Sequence, residues 1–212
     1  MYDCEELEED VKTENLYERA ANLGLDMKQV EYATSILLNA IGEDVTREGL
    51  KETPQRVARM WLEFFEMRNY NCKEFAEMNT LNNGFVMVRN IPLNSLCEHH
   101  LVPFIGTANV AYLPKKLEDG RKQIIGISKI ARVVYKHAYR PQVQERLTLE
   151  ILNEIQEIVH VPDVIVHIDA KHLCMSMRGA RAGDSSTVTM DYDGAFNEPE
   201  LRREFLMLVN KR

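Results

Sequence analysis

The 212-residue chain is 45% hydrophobic and 28% charged, the balance of a soluble globular protein, with no apolar run long enough to cross a bilayer. Its net charge of −7 argues against a broad nucleic-acid surface while leaving room for a small basic pocket that takes an anion. The four cysteines are scattered, and the chain starts acidic where a secretory leader would be basic and then apolar; both point to a cytoplasmic setting in which thiols stay free or hold metal.

Residues 1–26 read as an acidic arm or loosely held helix, 27–80 as a helical region and 81–212 as the main folded domain. Met27, Val30, Ala33, Ile36, Leu37, Ala40 and Ile41 recur at three- and four-residue steps, one face of an amphipathic helix. Thr53-Pro54 reads as an N-cap and first helical position, with Val57, Met60, Trp61 and Phe64 following on one face. From Phe85 the texture changes. FVMVRNIPL, TANVAYLP and QIIGIS are short and β-branched, and Leu117–Gly120 reads as a hairpin tip between the last two. Ser128 is expected to cap a helix carrying Ile130, Val133 and Val134, which Arg140-Pro141 ends. A longer helix turns Val143, Leu147, Ile151, Ile155 and Ile158 inward. DVIVHIDAKHLC and SSTVTMDY read as strands, and Pro199 opens a last helix with Leu201, Phe205 and Leu208 inward. The order suggests an α+β fold: an antiparallel sheet with two helices on one face, preceded by helices.

The stretch SLCEHH sets a thiol and two imidazoles within four positions. Cys97 and His100 can reach one ion only if the backbone turns, since residues three apart on a straight strand point to opposite faces. Downstream, His172 and Cys174 would share a face if KHLC is a strand. A single cysteine or histidine is usually a small buried hydrophobe or an ordinary surface residue. Two tight groups are different: Cys97, His99, His100, His172 and Cys174 offer three ligands, an open position and two spare imidazoles. That count suits a catalytic zinc, which activates water near neutral pH.

Lys129 and Arg132 follow Ser128 on one helix face, and Arg178 and Arg181 lie in the turn after Cys174. Arg56 and Arg59 repeat the three-residue spacing upstream. Any one pair reads as a solvated face; the set beside a metal fits a polyphosphate. Glu145, beside Gln144, could accept from the N1–H and amine edge of guanine, or could pair with a neighbouring arginine at a surface turn, and spacing does not separate the two.

Taken together, SLCEHHLVPFIG, AYLP, IGISKIARVV, RPQVQERLT, HLCMSMRGAR and SSTVT, with TPQRVARMW upstream, resemble the GTP cyclohydrolase I family from about Lys28 to the C-terminus. The resemblance implies a T-fold (tunnelling fold) and hydrolysis of GTP at C8, with release of formate and reclosure as 7,8-dihydroneopterin triphosphate. That reaction is the first step toward tetrahydrofolate and other pterins or deazapurines. It also implies a cytoplasmic homodecamer of two stacked pentameric rings with inter-subunit active sites, and neither nucleic acid nor membrane as partner. Residue by residue, Cys97, His100 and Cys174 match zinc ligands, and His99, His172 and Ser128 match proton-transfer groups. Ser128, Lys129, Arg132 and Arg178 match triphosphate contacts, Arg56 and Arg59 basic residues lent by a neighbouring subunit, and Gln144 and Glu145 guanine readers. Lys171 and the segment Met190–Asp193 depart from the family pattern. The alternative reading is a non-enzymatic, zinc-stabilised purine-nucleotide-binding T-fold protein.

Overall fold

The computed structural model describes residues 15–68, 78–80 and 84–211, and the chain divides into two compact units, Met1–Asn69 and Tyr70–Arg212. Most of the expected acidic arm lies outside the described residues; its later part, 15–22, is helical and is named α1. Helix α2 (Met27–Ala40) starts where the Asp26 carboxylate accepts the Gln29 N–H at 3.0 Å, satisfying a backbone donor that no helical turn can reach. Helix α3 (Thr53–Arg68) begins one residue earlier than the Thr-Pro pair suggests. The Arg56 N–H bonds the Glu52 carbonyl, so Thr53 is the first helical residue and not the cap. Ala20, Leu25, Met27, Ala58 and Leu62 form this unit's core. The apolar face read for α2 is only partly buried. Met27 is covered and Val30 packs beside it, but Ile36, Leu37 and Ile41 are exposed. Periodicity reports the stripe of a helix, and coverage of the stripe is a separate matter.

The second unit holds two sheets. The smaller is ordered β1-β5-β4, from β1 (Met78–Thr80), β4 (Lys115–Lys116) and β5 (Lys122–Ile124). It contains the expected hairpin: the Leu117 N–H bonds the Arg121 carbonyl at 2.7 Å, and Gly120 takes the left-handed φ of 83° that the tip requires. The larger sheet is ordered β6-β2-β3-β7-β8, comprising β2 (Val86–Cys97), β3 (Pro103–Tyr112), β6 (Pro141–Gln142), β7 (Val164–His172) and β8 (Thr187–Tyr192). All its pairings are antiparallel except the short β2–β6 contact.

Helices α4 (Ile127–Ala138) and α5 (Gln144–Val159) cover one face of this sheet. Alternation decides which residues meet them. Phe104, Ala108 and Val110 of β3 and Val164, Val166 and Ile168 of β7 face Ile130, Val134, Leu147, Ile151 and Ile155. Ile165 and Ala111 point the other way, onto Phe196 and onto Phe205 of helix α7 (Pro199–Val209). β2 changes phase midway. Val88 pairs with Val110, but Ile91 pairs with Ala108, so one extra residue is accommodated as a bulge, with Asn90 at φ 54° and its N–H on the Asn109 Oδ1. The inward set thus shifts from even positions (Val86, Val88) to odd ones (Ile91, Leu93, Cys97), which aims Cys97 toward the helix-covered face.

Charges at the α4–α5 seam are paired. Lys136 Nζ and His137 Nε2 reach the Glu154 carboxylate at 2.8 and 2.6 Å, and Arg140 reaches Glu150 at 2.7 Å. Burial is the largest single influence on Glu154 and raises its carboxyl, but the hydrogen bonds and charges of His137 and Lys136 together outweigh it and hold the group below its ordinary 4.5. A carboxyl depressed in the native state contributes stability above its unfolded value and loses it as pH falls through the native one. Glu154→Gln is therefore expected to be less stable than the parent near neutrality, with the two converging as pH drops below 4.5, read from urea midpoints across that range.

Candidate metal centre

The turn after β2 is built to present its side chains. Cys97 is the last strand residue, its N–H on the Val102 carbonyl at 2.9 Å, and the Leu101 N–H returns to the Cys97 carbonyl at 2.8 Å, with Leu101 at φ 53°. This is the strand-end turn that the three-residue spacing demanded. Glu98 anchors it from outside: its N–H bonds the Gln142 carbonyl at 3.0 Å, and its carboxylate accepts a hydrogen bond from Arg146 of α5. That bond is the largest influence holding the Glu98 carboxyl below its ordinary range.

Cys174 arrives from the other end of the unit, but not as read from sequence. β7 stops at His172, and Leu173–Ser176 forms a helical turn, α6, so His172 and Cys174 do not share a strand face. The turn carries Cys174 to the same point: the ligand atoms of Cys97, His100 and Cys174 all lie within 4.8 Å of one another. Cys97 Sγ lies 3.8 Å from His100 Nδ1. Around a tetrahedral zinc with bonds of about 2.3 Å to sulfur and 2.0 Å to nitrogen, a sulfur and a nitrogen stand about 3.5 Å apart. Among the described residues, two thiols and an imidazole converge at this spacing, a donor set that fits zinc. Burial first, then the neighbouring Cys97 sulfur, pushes the Cys174 thiol above its ordinary value, as expected for two sulfurs crowded together.

The two other histidines flank the trio. His99 is exposed, with Nδ1 3.9 Å from Cys97 Sγ, and is not among the converging ligands. His172 is half-buried; its ring stacks on Phe104 with centroids 4.6 Å apart and planes 6° from parallel. Burial lowers its pKa, partly opposed by the charge of Glu145. Phe104, the cross-strand partner of His172, had no signal in the sequence, because the β3–β7 register is a long-range pairing.

The expected anion contacts are distributed. Ser128 does not cap α4: Gly126 is the N-cap and makes no side-chain cap hydrogen bond, and Ser128 lies in the first turn beside Lys129. Arg132 follows one turn on, and Arg178 is exposed in the turn after α6. Arg56 and Arg59 belong to the first unit, where Arg56 pairs with Glu52. Glu145 is exposed in the first turn of α5, whereas its neighbour Gln144 is buried.

A family model described as GTP cyclohydrolase I matches residues 30–210. The GTP cyclohydrolase 1 of Sulfurihydrogenibium sp. (strain YO3AOP1) is 48% identical over 187 residues, 88% of this chain and 96% of its own length. That of Aquifex aeolicus (strain VF5) is 47% identical over 188 residues, 88% of this chain and 98% of the relative. The GTP cyclohydrolase 1 of Caldanaerobacter subterraneus subsp. tengcongensis is 46% identical over 191 residues, 89% of this chain and 99% of the relative.

Proposed function

The chain belongs to the GTP cyclohydrolase I family, and on that premise we propose how its own residues convert GTP and water to 7,8-dihydroneopterin triphosphate and formate. The observation that carries the reading is the convergence of Cys97, His100 and Cys174. These three residues would hold zinc, which when bound supplies the Lewis acidity that makes water nucleophilic near neutral pH.

His99, exposed beside the trio, protonates the purine near N7, which makes C8 electrophilic. His172 and Ser128 move protons during ring opening, loss of formate and the later sugar rearrangement. Glu145, in the first turn of α5, accepts two parallel hydrogen bonds from the N1–H and amine edge of guanine. The N-terminal turn of α4, with Ser128, Lys129 and Arg132, takes the triphosphate together with Arg178. Arg56 and Arg59 reach the site of a neighbouring subunit in a homodecamer of two stacked rings. The cytoplasm suits the protein because a reducing compartment keeps Cys97 and Cys174 as thiols.

Zinc-loaded protein incubated with GTP is expected to release formate and give a product that fluoresces after oxidation. GTP binding without formate would sink the enzyme in favour of a zinc-stabilised nucleotide-binding protein. Glu145→Gln is expected to lose about ten- to hundredfold in kcat/KM for GTP, the worth of charge-assisted hydrogen bonds to the base. Unchanged kcat/KM would remove Glu145 as the guanine reader.

A further inference from the structure

Gln144 occupies a position that the family resemblance assigns to reading guanine. Its side chain is spent elsewhere. The residue is 1% exposed, and its Nε2 lies 2.8 Å from the Thr187 carbonyl, 3.2 Å from the Ile168 carbonyl and 3.1 Å from Thr189 Oγ1. Two of those partners are backbone carbonyls, which can only accept. The end of the carboxamide facing them must therefore be the NH₂, since the flipped amide would set its oxygen against two other oxygens. The hydroxyls nearby agree: Thr148, also 1% exposed, donates to the Gln144 backbone carbonyl at 2.8 Å and so receives the Thr189 hydroxyl at 2.6 Å, leaving Thr189 Oγ1 to accept from the Gln144 carboxamide.

With the amide orientation settled, Oε1 is the atom that faces His172, 2.8 Å from its Nε2. A carboxamide oxygen can only accept, so Nε2 of His172 carries a hydrogen. We infer that Gln144 is a positioning residue that fixes the tautomer and plane of His172, and that guanine is read by Glu145 without it. Phe104 fixes the same plane from the other direction by stacking on the ring. Gln144 gains its own fixed position from three elements at once: it starts α5, and its NH₂ bonds a carbonyl of β7 and one of β8. An imidazole whose second nitrogen is held by a buried acceptor keeps one face of its chemistry constant, as outer partners do for functional histidines elsewhere.

The inference rests on the reading of His172 as a proton-transfer group, and its test separates the two. In zinc-loaded protein labelled with ¹⁵N-histidine, the ring signals of His172, identified by their loss in His172→Ala, are expected to show hydrogen on Nε2. Hydrogen on Nδ1 with Nε2 bare would overturn the inference, whatever the enzyme does with GTP. Conversely, wild-type protein that releases no formate would sink the functional reading and leave the tautomer assignment intact. Gln144→Met keeps the length of the side chain without its hydrogen bonds. It is expected to lower kcat about ten- to hundredfold, with KM for GTP changed less than about twofold and the preference for GTP over inosine triphosphate unaltered. A rise in KM with lost discrimination against inosine triphosphate would instead make Gln144 a reader of the base. Should Gln144→Met fail to fold, Thr189→Val removes one acceptor while keeping both Gln144 and His172. A smaller fall in kcat at constant KM supports the clamp, and a change in base preference refutes it.

Discussion

Replacing Cys174 by alanine is expected to remove zinc and formate release together, whereas His99→Ala keeps zinc at about one per chain and loses turnover by about 10²- to 10⁴-fold. The two residues lie close together and differ in what their atoms can reach. Among the described residues, Cys174 supplies one of three converging ligand atoms, and two remaining donors do not make a zinc site. His99 stands within 3.9 Å of Cys97 Sγ, yet the trio is complete without it. Its loss therefore leaves coordination untouched and removes only the proton it would deliver to the purine. Elemental analysis after dialysis against a weak chelator, run beside the formate assay, reads the two quantities separately. Equal zinc loss in both variants would place His99 among the ligands and withdraw its role as an acid. The comparison is clean because both positions are cheap to truncate: His99 is exposed and Cys174 only partly buried, so neither change opens a large cavity.

What the chain discloses before folding is whatever a local pattern can carry. The apolar stripe of α4 is legible because Ile130, Val133, Val134 and Ala138 recur at helical spacing and are all buried. The turn at SLCEHH is legible because Cys97 and His100 could not otherwise meet. The helix start is less so: Ser128 is a good capping residue by chemistry, but the backbone leaves the extended region at Gly126, two residues earlier, and a serine letter cannot show that. His-x-Cys fits the period of two of a strand, but the chain coils into a helical turn after His172. The burial of Gln144 and the ring contact of Phe104 are opaque for a different reason. A glutamine reads as polar surface and a phenylalanine as generic core until the β3–β7–β8 register brings His172, Thr187 and Thr189 beside them. The exposed half of the α2 stripe marks the converse limit: among the described residues, Ile36, Leu37 and Ile41 stay exposed on a face the pattern announces as apolar.

That register also has a point of least tolerance. Gly106→Ala is expected to destabilise the fold by about 3 kcal/mol or more and to take most activity with it even where the protein remains folded. Gly106 pairs directly with Ala170 across β3 and β7. A Cβ on Gly106 would sit 2.5 Å from the Ala170 Cα and 2.7 Å from its Cβ, and would also strike the Asp169 carbonyl oxygen. Most of those atoms are backbone, so no rotamer change relieves the overlap and the strands must part. The pairing two residues along is Phe104 with His172, the stacked pair that holds the imidazole proposed for proton transfer against Gln144. Separation at Gly106 therefore reaches the site through the sheet, moving the ring away from its acceptor while Cys97 and His100 keep their own turn on β2. Gly183→Ala is the control, since a Cβ there meets nothing within 4 Å and the backbone is not left-handed. It is expected to change the urea midpoint by less than about 0.5 kcal/mol equivalent. A Gly106→Ala protein as stable and active as the control would mean that β3 and β7 are not this closely paired, and the geometry assigned to His172 would go with them.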